Sequence, residues 1–148
     1  MYKSILIPTD GSDLANKAVM HGLELAKSLG ATVTVMTATS DWSPSEMAER
    51  IERGAAHPVE DFERKAAAWA DKVLSECAAA ARKTGVDCKT VHAKDRSAAD
   101  GIVETAKSAA CDLIVMASHG RGGIGRILLG SVAMKVLTYS TVPVLICR

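Results

Sequence analysis

Aromatic side chains are scarce in this chain of 148 residues: one Phe, two Trp and two Tyr amount to 3% of it. So few rings leave little to stack on exposed bases, and a formal net charge of +1 gives no general attraction to nucleic acid or to an anionic membrane. Nucleic acid is therefore not an expected partner. Long apolar runs are missing too. No stretch approaches the roughly 18 apolar residues of a spanning helix, and the apolar part of MYKSILIPTDGS is too short for a signal peptide. No membrane insertion is expected, and the expected location is cytoplasmic. Cys77, Cys88, Cys111 and Cys147 form no C-x-x-C pair and read as reduced core thiols. His21, His57 and His92 fall in a helix, a loop and a strand without metal-ligand spacing, so no zinc site follows. One absence is local: from Leu113 to Arg148 there is no Asp or Glu, although Arg121, Arg126, Lys135 and Arg148 are there.

What is present is enough for one domain over residues 1–148. Hydrophobic residues make up 48%, and a chain of this length buries roughly two thirds of its unfolded surface. Short β-rich runs alternate with helical ones. YKSILIP reads as a first strand stopped by Pro8. A helix follows, capped by Ser12 or Asp10, with Leu14, Ala18, Leu25 and Leu29 expected on its buried face and Gly30 at its end. ATVTVMTA is a second strand by its β-branched density. Residues 39–62, with two prolines and a glycine, read as an irregular and mobile segment holding a short helix from Ser45 to Arg53. A long Ala-rich helix then runs to Gly85, its expected stripe being Phe62, Ala66, Trp69, Val73 and Cys77. VDCKTVHA, SAADGIVETAKSAA and CDLIVMAS add strand, helix and strand, the last apolar almost throughout as in a central parallel strand. A helix from Ser131 to Tyr139 and the strand TVPVLICR close the chain.

The fold expected is a single doubly wound, five-stranded parallel sheet with helices on both faces. Ligands of such sheets lie outside the carboxyl ends of the strands, where strand order reverses. The strand exit HGRGGIGRILLGS has the matching chemistry. Gly120, Gly122, Gly123 and Gly125 bare the backbone, and Gly130 and Ser131 open a helix whose free N–H groups favour an anion, with the Ser131 hydroxyl at the cap. A flexible turn is the plainer reading of the glycines, but it leaves the missing acids unexplained. No lysine precedes Ser131, which rules out a P-loop, and PTDGSD is no G-x-G-x-x-G fingerprint. His119 has no paired carboxylate or nucleophile at fixed spacing and reads as structural.

LIPTDGS, DLIVMASHGRGGIGRILLGSVAMKVL and VPVLICR together resemble the universal stress protein family, and the resemblance covers the whole chain. The signature of that family's ATP-binding members, G-x2-G-x9-G-[ST], falls on Ala117, Gly120, Gly130 and Ser131, with the spacing kept and the first glycine replaced. The resemblance implies a Rossmann-like fold and a cytoplasmic, homodimeric, ATP-binding regulator or sensor in the stress response, with AMP and ADP as further candidates. It implies that Pro8, Thr9 and Asp10 face the ribose and a Mg2+ or Mn2+ ion carried with the nucleotide, and that Thr37 gives a backbone contact to adenine. Met116 and Ala117 would line base and ribose. Gly120, Arg121, Gly130, Ser131 and Val132 would surround the phosphates. Pro143, Val144, Leu145, Ile146 and Cys147 would pair with a second copy, which also fits an apolar edge strand that needs a cover. A further protein partner is implied without being specified. No residue is placed to activate water, so any ATPase is expected to be slow or absent. The alternative is a dimeric interaction module of the same fold that works without nucleotide, and Ala117 is the feature that favours it.

Overall fold

The β-branched and apolar runs pair into one parallel sheet in the computed structural model, which describes residues 1–121 and 129–148. Its strands are β1 (Ser4–Pro8), β2 (Thr32–Thr39), β3 (Cys88–Lys94), β4 (Leu113–Ala117) and β5 (Val144–Cys147), in the order β3-β2-β1-β4-β5. The helices are α1 (Asp13–Leu29), α2 (Pro44–Glu52), α3 (Pro58–Thr84), α4 (Ala98–Ser108) and α5 (Ser131–Tyr139). The doubly wound sheet expected from the alternation is therefore present, and β4, buried along its whole length, lies between β1 and β5. Asp112 fixes the entry of β1, its carboxylate accepting from the N–H groups of Lys3 at 2.8 Å and Ser4 at 3.1 Å.

Alternation along the strands divides the core in two. Ile5, Ile7, Val33, Val35 and Val115 pack beneath α1 and α3, whereas Leu6, Met36, Ile114 and Met116 pack beneath α4 and α5. Small residues bring α1 close to the sheet. Its buried face is Ala15, Ala18, Val19, Gly22, Leu23 and Ala26; of the expected stripe Ala18 is fully buried, Leu14 and Leu25 pack against the core half-buried, and Leu29, beside the terminating Gly30, is 40% exposed. Close packing decides here, because a central sheet already filled by Ile and Val leaves room mostly for small residues around Leu23 and Val19. The stripe of α3 is correct only in its second half. Val73 and Cys77 are buried, together with Ala70, Leu74 and Ala81, but Phe62, Ala66 and Trp69 lie where α3 has run beyond the core and are half-buried.

Residues 39–62 are more regular than their prolines suggested. Thr39 still belongs to β2, α2 takes Pro44 to Glu52, and α3 begins at Pro58. Both prolines stand in a first helical turn, where a missing N–H costs nothing. Ser12 caps α1 by accepting from Ala15 N–H at 3.2 Å, while Asp10, the other candidate, is engaged elsewhere. At α5 the cap differs from expectation. Gly130 is the N-cap, no side chain caps the helix, and Ser131 is its first helical residue. The cysteines are free, three of them buried and Cys88 half-buried on the edge strand β3.

Candidate functional site

Strand order reverses between β1 and β4, so the chain leaving β1 and the chain leaving β4 diverge onto opposite faces of the sheet. A cavity of about 500 Å³ opens there. Every residue the sequence put forward for a nucleotide lines it: Pro8, Thr9 and Asp10 from the exit of β1, Thr37 from β2, Met116 and Ala117 from β4, Gly120 and Arg121 beyond it, and Gly130, Ser131 and Val132 at the start of α5. Gly122, Gly123, Gly125 and Arg126, the rest of the expected anion loop, lie outside the described residues.

The walls differ in chemistry. Met36, Ala38, Ile102, Met116, Leu129 and Val132 make an apolar side. On the opposite side Asp10 joins two chain segments far apart in sequence. Its Oδ1 accepts from Ser12 N–H at 3.0 Å and its Oδ2 from Arg121 N–H at 2.9 Å. A Cβ at Gly120 would stand 2.6 Å from Oδ2, so a larger residue there would push the Asp10 carboxylate aside. Asp10 supplies the carboxylate and Arg121 the guanidinium of the described cavity wall. The Arg121 guanidinium carbon lies 4.8 Å from the centroid of the Trp69 ring on α3. At the start of α5, Gly130 N–H donates to Ser118 O at 2.7 Å, and a Cβ on Gly130 would press within 3.1 Å of His119 Cα. The N-terminus of α5, with its unpaired N–H groups and partial positive charge, thereby borders the cavity. His119 also lines it, its Nδ1 3.1 Å from Ser118 Oγ. Among the described residues no cluster of three metal-ligating side chains occurs.

Thr37 is placed differently from what a backbone contact requires. Thr9 N–H donates to Met36 O, and Arg96 N–H to Thr39 O. Even-numbered residues of β2 therefore turn their backbone groups toward β1 and odd-numbered ones toward β3. Pairing with β1 ends at Met36, so it is the N–H and C=O of Ala38, not those of Thr37, that face the side β1 has left. Thr37 is 1% exposed, and its hydroxyl has no hydrogen-bond partner among the described residues. Strand alternation held the signal for Ala38, but reading it needed the sheet order. Ala98 and Ile102 were missed for the same reason, because only the crossover of α4 carries its first turn over the end of β2.

Pro143 ends the approach to β5, its carbonyl accepting from Ile114 N–H at 2.9 Å. Val144, Leu145, Ile146 and Cys147 pair with β4 on one side only, and β5 forms a sheet edge. Leu145 is 45% exposed on that edge, and Met134, Leu137 and Tyr139 of the neighbouring α5 are exposed as well. Among the described residues no helix is long and apolar enough to cross a membrane.

These features define an α/β protein with a ligand-sized cavity at the switch point of a doubly wound sheet, apolar on one side and charged on the other. Over residues 1–148 the sequence matches the model of the universal stress protein family, and the chain belongs to that family. Universal stress protein MJ0531 of Methanocaldococcus jannaschii is 31% identical, over all of this chain and 83% of the relative. Among solved structures, that of protein MJ0577 superposes with a TM-score of 0.77 at 26% identity, covering 99% of this chain and 96% of the other. A universal stress protein in complex with cAMP superposes with a TM-score of 0.69 at 26% identity, covering 99% of this chain and 97% of that chain.

Proposed function

We propose that this protein is a cytoplasmic, homodimeric regulator or sensor of the stress response that binds an adenine nucleotide. The cavity carries the reading. It has the size of a nucleotide site, an apolar side for a base, and a helix N-terminus with an arginine for phosphate. The solved relative with cAMP holds a ligand of that composition, an adenine base joined to an anionic phosphate. In this reading Met116 and Ala117 face base and ribose, the backbone of Ala38 faces the adenine edge, and Gly120, Arg121, Gly130, Ser131 and Val132 surround the phosphates.

ATP is the ligand proposed first, with AMP and ADP as alternatives. Mg2+ or Mn2+ would come with the phosphates. Asp10 fits that role through its remaining lone pairs, since each carboxylate oxygen already accepts one backbone N–H. Catalysis is weak or absent in this proposal, because His119 is engaged by its neighbour Ser118 and no acid is paired with it. The edge strand from Val144 to Cys147, approached through Pro143, pairs with its counterpart in a second copy. A protein partner of the loaded form completes the reading.

Calorimetric titration of ATP into the purified protein, with and without magnesium, tests it beside Ser131→Glu. An acid at a helix N-terminus favours the helix, so the variant should fold while its carboxylate repels phosphate. Micromolar binding lost in the variant is expected. A folded wild type that binds no nucleotide would leave the interaction module as the function, with the Ala117 methyl as the cause. Sedimentation of the same samples reads the dimer, and a monomer would overturn that part.

A further inference from the structure

The Trp69 ring lies against the charged wall of the cavity and does not line the cavity itself. It stands half-buried on α3, one turn before Val73, in the half of the helix that contributes nothing to the main core. What it touches is Arg121. The guanidinium carbon lies 4.8 Å from the ring centroid, within the range of a cation–π contact. Nη2 of the same side chain lies 3.6 Å from where a Cβ of Gly11 would stand, and the Arg121 backbone N–H is fixed by Asp10 at 2.9 Å. The cation of the described wall is thus held at both its backbone and its head. An exposed arginine is otherwise a many-rotamer side chain that loses freedom when it meets an anion.

We propose that Trp69 is a positioning residue that seats the Arg121 guanidinium at the cavity rim, so that the phosphate end of a ligand meets a charge already in place. This rests on the nucleotide reading above and adds which part of the ligand the indole serves. Trp69 acts through Arg121 and therefore affects phosphate recognition while leaving base recognition alone.

The test compares ATP with adenosine by calorimetry on the full-length protein, since the ratio of the two affinities isolates the phosphate contribution. Trp69→Leu should lower that ratio about two- to fivefold, the size of an exposed cation–π contact. Trp69→Phe keeps a ring face and should recover most of the loss. In an Arg121→Gln background, Trp69→Leu should change the ratio no further. A ratio unchanged by Trp69→Leu overturns the proposal. So does tighter ATP binding, which would make the indole a place where the arginine is withheld, or an equal loss in the Arg121→Gln background. Circular dichroism of each variant separates these outcomes from loss of fold. A wild type that binds neither ATP nor adenosine overturns the nucleotide reading and this inference together, whereas binding with an unmoved ratio overturns the inference alone.

Discussion

Gly22 is the point at which α1 lies closest to the sheet, and replacing it with alanine tests that packing directly. A Cβ at Gly22 would overlap Ile7 Cδ1, stand 3.0 Å from Ile7 Cγ1 and lie 3.6 Å from Val115 Cβ. Ile7 and Val115 are both fully buried, so neither yields into solvent. Overpacking of this kind costs about 1–3 kcal/mol. Against it stands about 1 kcal/mol gained by exchanging glycine for alanine within a helix. Gly22→Ala should therefore be destabilising by about 1 kcal/mol, the difference between those two effects. Ile7→Val removes the methyl that overlaps and alone costs about 1 kcal/mol. In the double variant the clash is relieved while the helix gain remains, so the pair should be more stable than the sum of the single changes by about 1–2 kcal/mol. Urea unfolding of the four proteins, with unchanged m-values, reads the cycle. Additive effects would refute the idea that α1 is pressed against β1 at this glycine.

Two other outcomes are expected. Thr37→Val should keep or raise stability, by up to about 1 kcal/mol, because it removes a buried hydroxyl without a partner among the described residues and conserves shape; a clear loss in the same unfolding assay would show that the hydroxyl is bonded. Burial pushes the Cys77 thiol up from 9.0 to about 11, with Cys88 and Glu76 adding to the effect. The unfolded chain releases this proton first, so the contribution is complete below pH 9 and is lost as the pH rises toward 11. Cys77→Val should flatten the alkaline fall in stability, and an equally steep fall in both proteins would count against a proton retained by burial.

Much of the fold was legible because each element carries its own period and its own stop. Gly30 and Gly85 end α1 and α3 with left-handed φ values of 65° and 75°, as glycines at helix ends should. The unbroken apolar run of β4 declared a central strand. Side-chain volume was less legible. Periodicity says which face of a helix is buried, but the closeness of α1 to β1 puts three alanines and Gly22 around Leu23 and leaves Leu29 at the surface. The prolines of residues 39–62 suggested irregular chain, yet Pro44 and Pro58 start helices, and the sequence does not distinguish those uses of proline without the neighbouring turns. At the site, single residues were readable from their motif, whereas Ala38, Ala98 and Ile102 owe their place to strand order, a property of no local stretch. Trp69 looked like core because spacing does not record where a long helix outruns the sheet it covers.

The contact between Asp10 and Arg121 spans 111 positions of the chain. It brings together the first loop and one that follows the fourth strand, so the cavity is complete only when both are in place. Both walls exist only when β1 and β4 are paired. A molecule that fills the cavity therefore binds the complete fold and nothing less, and its binding adds to the free energy of global unfolding. Occupancy by any small molecule would then be legible as a rise in melting temperature that grows with the logarithm of its concentration, and such a rise also sets how long each copy survives a proteolytic environment.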